Sequence, residues 1–165
     1  MIQLESVLKS LTENEVEFVI VGGVAITAHG SAYLTQELDF CYSRSKDNLK
    51  KVVSALALFK PRPRNFPEDL PYIFDERTLQ NGTNLAFDAE IGDVDLLGEV
   101  AGVGTYDAVD EESEIKNLFG YDVKVLSIEG LIKAKRAAGR TKDLLVLPEL
   151  EALREISIDE EDKNL

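Results

Sequence analysis

The chain has 165 residues, enough for one domain that buries roughly two thirds of its unfolded surface. Its 31 acidic against 18 basic side chains leave a net charge of −13, which repels a phosphate backbone and makes broad nucleic-acid binding unlikely. A single cysteine, Cys41, excludes an internal disulfide, no Cys/His spacing suits zinc, and the apolar run "FVIVGGVAI" is too short for a membrane. A soluble, cytoplasmic protein with no membrane partner is therefore expected.

Ile2, Leu4, Val7, Leu8 and Leu11 recur at helical spacing, with an exit at residues 12–14. "EFVIV" at 17–21 is rich in β-branched residues and reads as a buried strand ended by Gly22-Gly23. Residues 24–29 predict a short helix closed by Gly30. "ELDFCYS" at 37–43 is the next strand, and Ser45 caps a helix over 46–60. The proline-rich stretch "KPRPRNFPEDLP" at 60–71 is a loop that carries two arginines. "TNLAFDAE" and "DVDLLGEV", joined by the turn "IG", predict a hairpin, and "YDVKVLS" at 121–127 a further strand. Ser127 caps a helix that stops at Gly139, and a last helix covers 143–156. Residues 157–165 are too polar to pack and are expected to form an acidic, disordered tail, which leaves 1–156 as a single domain. Strands and helices interleave, so the fold class is α+β (α/β-like): a mixed β-sheet flanked by helices.

The chemistry concentrates in "GGVAITAHGSAYLTQELDFC" at 22–41. Alternation along a strand puts Glu37 and Asp39 on one face, about 7 Å apart, while Leu38 and Phe40 take the core face. Two converging carboxylates repel each other, and a hard divalent cation relieves that repulsion. Gly22-Gly23 ends a strand and opens a helix, where bare backbone amides suit an anion. A cation site beside a phosphate cradle is what a nucleoside triphosphate needs. Gly22-Gly23 also reads as a mere tight turn, and the two acids as partners of core arginines. His29 reads as a helix-end residue hydrogen-bonded locally, and Cys41 as a small buried hydrophobe. Lys133, Lys135, Arg136, Arg140 and Lys142 form the one dense basic cluster, either a solvated helix face or a triphosphate clamp.

These residues resemble the nucleotidyltransferase superfamily, the polymerase β-like fold. Its pattern is a strand, a Gly-Gly or Gly-Ser pair, a short helix, and an acid-x-acid pair about a dozen residues later, matched here by Gly22-Gly23 and Glu37-x-Asp39. The family takes a third carboxylate from a later strand, and "GDVDLLG" at 92–98 resembles that block. Asp93 and Asp95 share a face; Asp95, set between Val94 and Leu96-Leu97, is taken as the third ligand. "LSIEGLIKAKRAAGRTKDL" further resembles bacterial minimal nucleotidyltransferases and abortive-infection type nucleotidyltransferase toxins, with Lys135, Arg140 and Asp143 at the family-like positions. The resemblance covers most of residues 16–145. It implies catalytic and metal-binding Glu37, Asp39 and Asp95, Mg²⁺ or Mn²⁺, and contacts to a nucleoside triphosphate from Gly22, Gly23, Thr35, Lys135 and Arg140. The implied reaction passes a nucleoside monophosphate to a hydroxyl on a protein, an RNA end or a small molecule, with release of pyrophosphate. Two departures keep alternatives open. The first acid is Glu37 where the family usually has Asp, and Tyr33 stands near the position of a frequent basic residue. A catalytically degenerate, toxin–antitoxin-like partner protein is the alternative, and a plain phosphohydrolase a third reading.

Overall fold

The computed structural model describes residues 2–164. Helix α1 (Leu4–Glu13) buries Val7, Leu8 and Leu11 and leads into β1 (Phe18–Val21), whose four side chains are all buried. Next come α2 (Gly22–Ala28), β2 (Glu37–Tyr42) and α3 (Lys46–Leu56), which ends in a tighter 3₁₀ turn over Ala57–Phe59. The Ser45 side chain accepts the Asn48 N–H at 3.2 Å, which satisfies one free amide of the first turn of α3. A two-residue strand β3 (Arg62–Pro63), helix α4 (Glu76–Asn81) and the hairpin β4 (Asn84–Ala89) and β5 (Gly92–Leu97) follow. A minor ribbon, β6 (Glu99–Val100) with β7 (Gly104–Thr105), leads to α5 (Tyr106–Glu111) and the hairpin β8 (Ser113–Leu118) and β9 (Tyr121–Leu126). Helices α6 (Ile128–Ala138), α7 (Thr141–Leu144) and α8 (Leu147–Lys163) close the chain.

The main sheet has seven strands in the order β3-β4-β5-β2-β1-β9-β8. It is mixed: β2 runs parallel to β5 and β1 parallel to β9, while the other neighbouring pairs are antiparallel. Leu38 and Phe40 of β2 are fully buried, and the Phe40 ring meets Phe18 edge-on at 5.7 Å and Tyr42 at 6.4 Å. Truncating such a ring typically costs about 3–5 kcal/mol, so this half of the strand fixes the register that its acidic half depends on. Asn48 anchors the far end, donating to Ser43 O at 2.7 Å and Glu17 O at 3.1 Å and accepting from Glu17 N at 2.8 Å.

The structure departs from the sequence reading where the burial signal is weak. Strand β8 sits at the sheet edge with Ile115 exposed, so its side chains carry no clean alternation. The six-residue helices α4 and α5 each bury one apolar side chain, Leu79 and Val109. Helix α2 begins at Gly22, two residues before the predicted start. The single helix expected over 143–156 is interrupted between α7 and α8: Pro148, in the first turn of α8, has no N–H to give the Leu144 carbonyl, and its ring opposes a helix running continuously through it. Helix α8 then runs to Lys163, through residues whose polarity predicts a disordered tail. Residues 158–164 are all exposed, so packing adds nothing to helix formation there.

Candidate active site

Strands β2 and β5 are parallel neighbours in register, with Glu37 opposite Asp93 and Asp39 opposite Asp95. Among the described residues, Glu37, Asp39 and Asp95 offer ligand oxygens that all lie within 4.8 Å of one another. Register separates the two candidate third acids: Asp95 shares its row with Asp39, and Asp93 lies one row out, beside Glu37. The end of β1 comes alongside, because Val21 pairs with Asp39 across the antiparallel β1–β2 ladder.

The glycines gain their meaning from this packing. Gly22 adopts φ +66°, and a Cβ there would run into the Asp39 carboxylate. A Cβ on Gly23 would sit 2.8 Å from Thr35 Cβ and 2.9 Å from the Tyr33 ring. The pair therefore lets the start of α2 close onto the acidic strand. Thr35 secures the approach to β2, its hydroxyl donating to Glu37 O at 3.0 Å.

Asp39 is half-buried, and its Oδ1 is buried with no hydrogen-bond partner among the described residues. Burial first, then the charges of Glu37 and Asp95, push its carboxyl up to about 7, against a smaller opposing pull from Lys135. Glu37 is also raised, by burial and then Asp95, with Arg64 opposing. An orphaned carboxylate oxygen inside a set of three hard oxygen donors fits a small divalent cation.

Arg64, from the proline-rich loop, is the residue that sequence reasoning left without a role. Strand β3 stitches the loop onto β4, and Arg64 N donates to Ala86 O at 3.0 Å. The guanidinium thus lies over the acidic face, with Nη2 2.9 Å from Asp95 Oδ1, 3.7 Å from Glu37 Oε2 and 3.9 Å from Asp93 Oδ2. Its Nε is 3.3 Å from Asp88 Oδ1. The one hint in the sequence is two arginines fixed between prolines in an acidic chain.

The basic cluster splits. Lys133 pairs with Glu112 at 2.7 Å and Arg136 with Glu151 at 2.9 Å, both outside the cleft. Lys135 and Arg140 converge on Asp143, which is fully buried: Lys135 Nζ lies 3.1 Å from Oδ1 and Arg140 Nε 2.6 Å from Oδ2. Burial pushes the Asp143 carboxyl up, but the hydrogen bonds from Arg140 and Lys135 outweigh it and hold the group down at about 2. A cleft of about 260 Å³ runs between this corner and Asp39, with Leu131, Ala134 and Ala138 of α6 as its apolar wall. His29 lies outside it, with Nε2 2.8 Å from Leu126 O and Nδ1 3.4 Å from Glu114. Cys41 is buried, and burial pushes its thiol up to about 12, which makes it unreactive.

No protein-family model matches the sequence, and no curated protein does. Solved structures do. A candidate nucleotidyltransferase from Thermotoga maritima aligns over 96% of this chain and 96% of its own, with a TM-score of 0.53 and 13% identity. The solution structure of the antibiotic-resistance factor ANT(2'')-Ia aligns over 97% of this chain and 91% of its own, with a TM-score of 0.56 and 12% identity.

The chain has the nucleotidyltransferase fold.

A crystal structure of ANT(2'')-Ia in complex with adenylyl-2''-tobramycin matches at a TM-score of 0.53 and 17% identity, covering 93% of each chain. The three alignments cover 93–97% of this chain and 91–96% of the matched ones. No helix among the described residues is long and apolar enough to cross a membrane.

Proposed function

We propose that this chain is a metal-dependent nucleotidyltransferase, passing a nucleoside monophosphate from a nucleoside triphosphate to a hydroxyl acceptor and releasing pyrophosphate. The observation that carries this reading is the trio Glu37, Asp39 and Asp95. It stands on two adjacent strands of a nucleotidyltransferase fold, with one buried Asp39 oxygen left without a partner. Mg²⁺ or Mn²⁺ held by these three would lower the pKa of the attacking hydroxyl and neutralise charge on the phosphates.

The remaining work falls to the chain. Hydrogen-bonded strands hold Asp39 and Asp95 at fixed separation, the rigidity that ligand placement within about half an ångström demands. Gly22 leaves the Asp39 carboxylate room to point into the cleft. Asp143 orients Lys135 and Arg140 so that two cations flank the route from the acids to α6, where triphosphate oxygens need compensation. The apolar wall of α6 offers a nucleobase a dry surface. ANT(2'')-Ia, a fold neighbour, has been seen with a nucleotidylated small molecule, which supports a hydroxyl on a small molecule as one acceptor class. A protein side chain and an RNA end are the other two.

The test is transfer of label from α-labelled triphosphates into a cell extract with Mg²⁺ or Mn²⁺. Wild-type protein should yield a labelled product, and folded Asp39→Asn should yield none. Absence of label with all triphosphates and both metals would end the enzyme reading. A second reading, a non-catalytic partner protein that kept the fold, draws on Glu37 and on Arg64, which gives the acids a cation from within the chain. It predicts no rise in melting temperature with Mn²⁺ plus triphosphate at millimolar concentration, whereas a competent site shows one.

A further inference from the structure

Two of the three proposed ligands already face a cation. Arg64 Nη2 contacts Asp95 Oδ1 at 2.9 Å and stands 3.7 Å from Glu37 Oε2, so guanidinium and metal ion would claim the same oxygens. The arrangement is lopsided: Asp39, the third member, receives nothing from Arg64, and its Oδ1 stays orphaned. The arginine also has a second hold that does not involve the trio. Its Nε pairs with Asp88, its main-chain N–H is fixed to Ala86 O, and Asp93 lies 3.9 Å from Nη2. Asp88 and Asp93 are cross-strand partners in the β4–β5 ladder, so they form a carboxylate pair immediately beside the trio.

We propose that Arg64 is a tethered counter-cation of the active site. It neutralises Glu37 and Asp95 until a divalent ion enters, then yields those oxygens while Asp88 and Asp93 keep it alongside. The proposal rests on the metal-site reading above. Its physical basis is competition. Five carboxylates crowd onto one sheet face, a cation must offset their repulsion in the ion-free protein, and among the described residues Arg64 is the one that reaches four of them. Because the side chain is about a third exposed, its grip on the trio is moderate and an incoming ion can displace it. Arg64 thereby sets how tightly the site takes its metal. It is a positioning residue rather than a ligand.

The experiment is calorimetric titration of the full chain with Mn²⁺ and no nucleotide. Arg64→Gln should bind Mn²⁺ roughly tenfold more tightly than wild type, the equivalent of about 1.4 kcal/mol. Lys142→Gln removes a nearby positive charge outside these contacts and should change affinity by less than about twofold, since exposed charges are screened. An unchanged or weaker affinity in Arg64→Gln overturns the proposal, as does an equal gain in both variants, which would indicate long-range charge alone. Binding by wild type with no gain in Arg64→Gln defeats this proposal and leaves the metal site standing. No binding by either protein defeats both. If Arg64→Gln does not fold, Arg64→Lys replaces it: a point charge cannot grip several carboxylates as the guanidinium fork does, so binding should still tighten, and wild-type affinity would overturn the idea.

Discussion

Asp39 on β2 and Asp143 on α7 line the same cleft, the first half-buried and the second fully buried, yet their surroundings treat them in opposite ways. Asp143 is met by Lys135, Arg140 and the Arg140 main-chain N–H, and is held down at about 2. Asp39 is met by two more carboxylates, keeps a bare oxygen, and is pushed up to about 7. Asp143 serves the fold, and Asp39 is held against it. A buried acid with its donors supplied locks α6 to α7, whereas a half-buried acid among acids is a stability liability, as expected of a group kept for a ligand.

Removing the satisfied acid should have the larger effect. Asp143→Ala leaves Lys135 without its buried partner and opens the α6–α7 corner, so a loss of about 3 kcal/mol is expected in denaturant unfolding. A loss under about 0.5 kcal/mol would make the pair a surface ornament. Gly22→Ala comes next, at about 2 kcal/mol, from the left-handed φ and the collision with Asp39. Metal affinity should fall with it, because the carboxylate must turn away.

The opposite sign is expected at Asp39. With chelator present, Asp39→Asn should stabilise the protein by about 1–2 kcal/mol at about pH 8, and by much less at about pH 5. The sign follows from the raised carboxyl. The folded protein holds this proton more tightly than the unfolded chain, so stability is fullest below the ordinary aspartate value of 3.8. It is lost progressively as pH rises from there to about 7, and is constant above. Asp143 behaves conversely: its contribution is complete above 3.8 and disappears as pH falls toward 2. Equal pH profiles for wild type and Asp39→Asn would remove the contrast between the two acids.

The smallest effect is expected at Glu37→Asp. Glu37 already brings an oxygen within 4.8 Å of the other two acids, so the shorter side chain would fall short of the proposed metal position. Mn²⁺ affinity should weaken by roughly threefold, with stability changed by less than about 0.5 kcal/mol. A gain in affinity would show instead that Glu37 marks a site that has lost its geometry.

The sequence by itself determined the elements whose signals are local. The β-branched run "EFVIV" reads as a buried strand, Ser45 and Ser127 cap their helices through their own next-turn amides, and the alternation of "ELDFCY" puts Glu37 and Asp39 on one face. These follow from periods of 2.0 and 3.6 residues and from hydrogen bonds three residues long, which a chain carries wherever it lies in the fold. Tertiary structure decided the rest. Apolar flanks favour Asp95 over Asp93 in the sequence, but only the β2–β5 register sets Asp95 beside Asp39. Within the basic cluster only the family resemblance singled out Lys135 and Arg140; spacing did not, and it is α6 and α7 that turn them onto Asp143 and leave Lys133 and Arg136 outside. Arg64 was the least legible, because its meaning lies in four carboxylates on three strands that only sheet pairing assembles. Charge acts through space, and no spacing along the chain encodes which loop arginine will be laid across which strands.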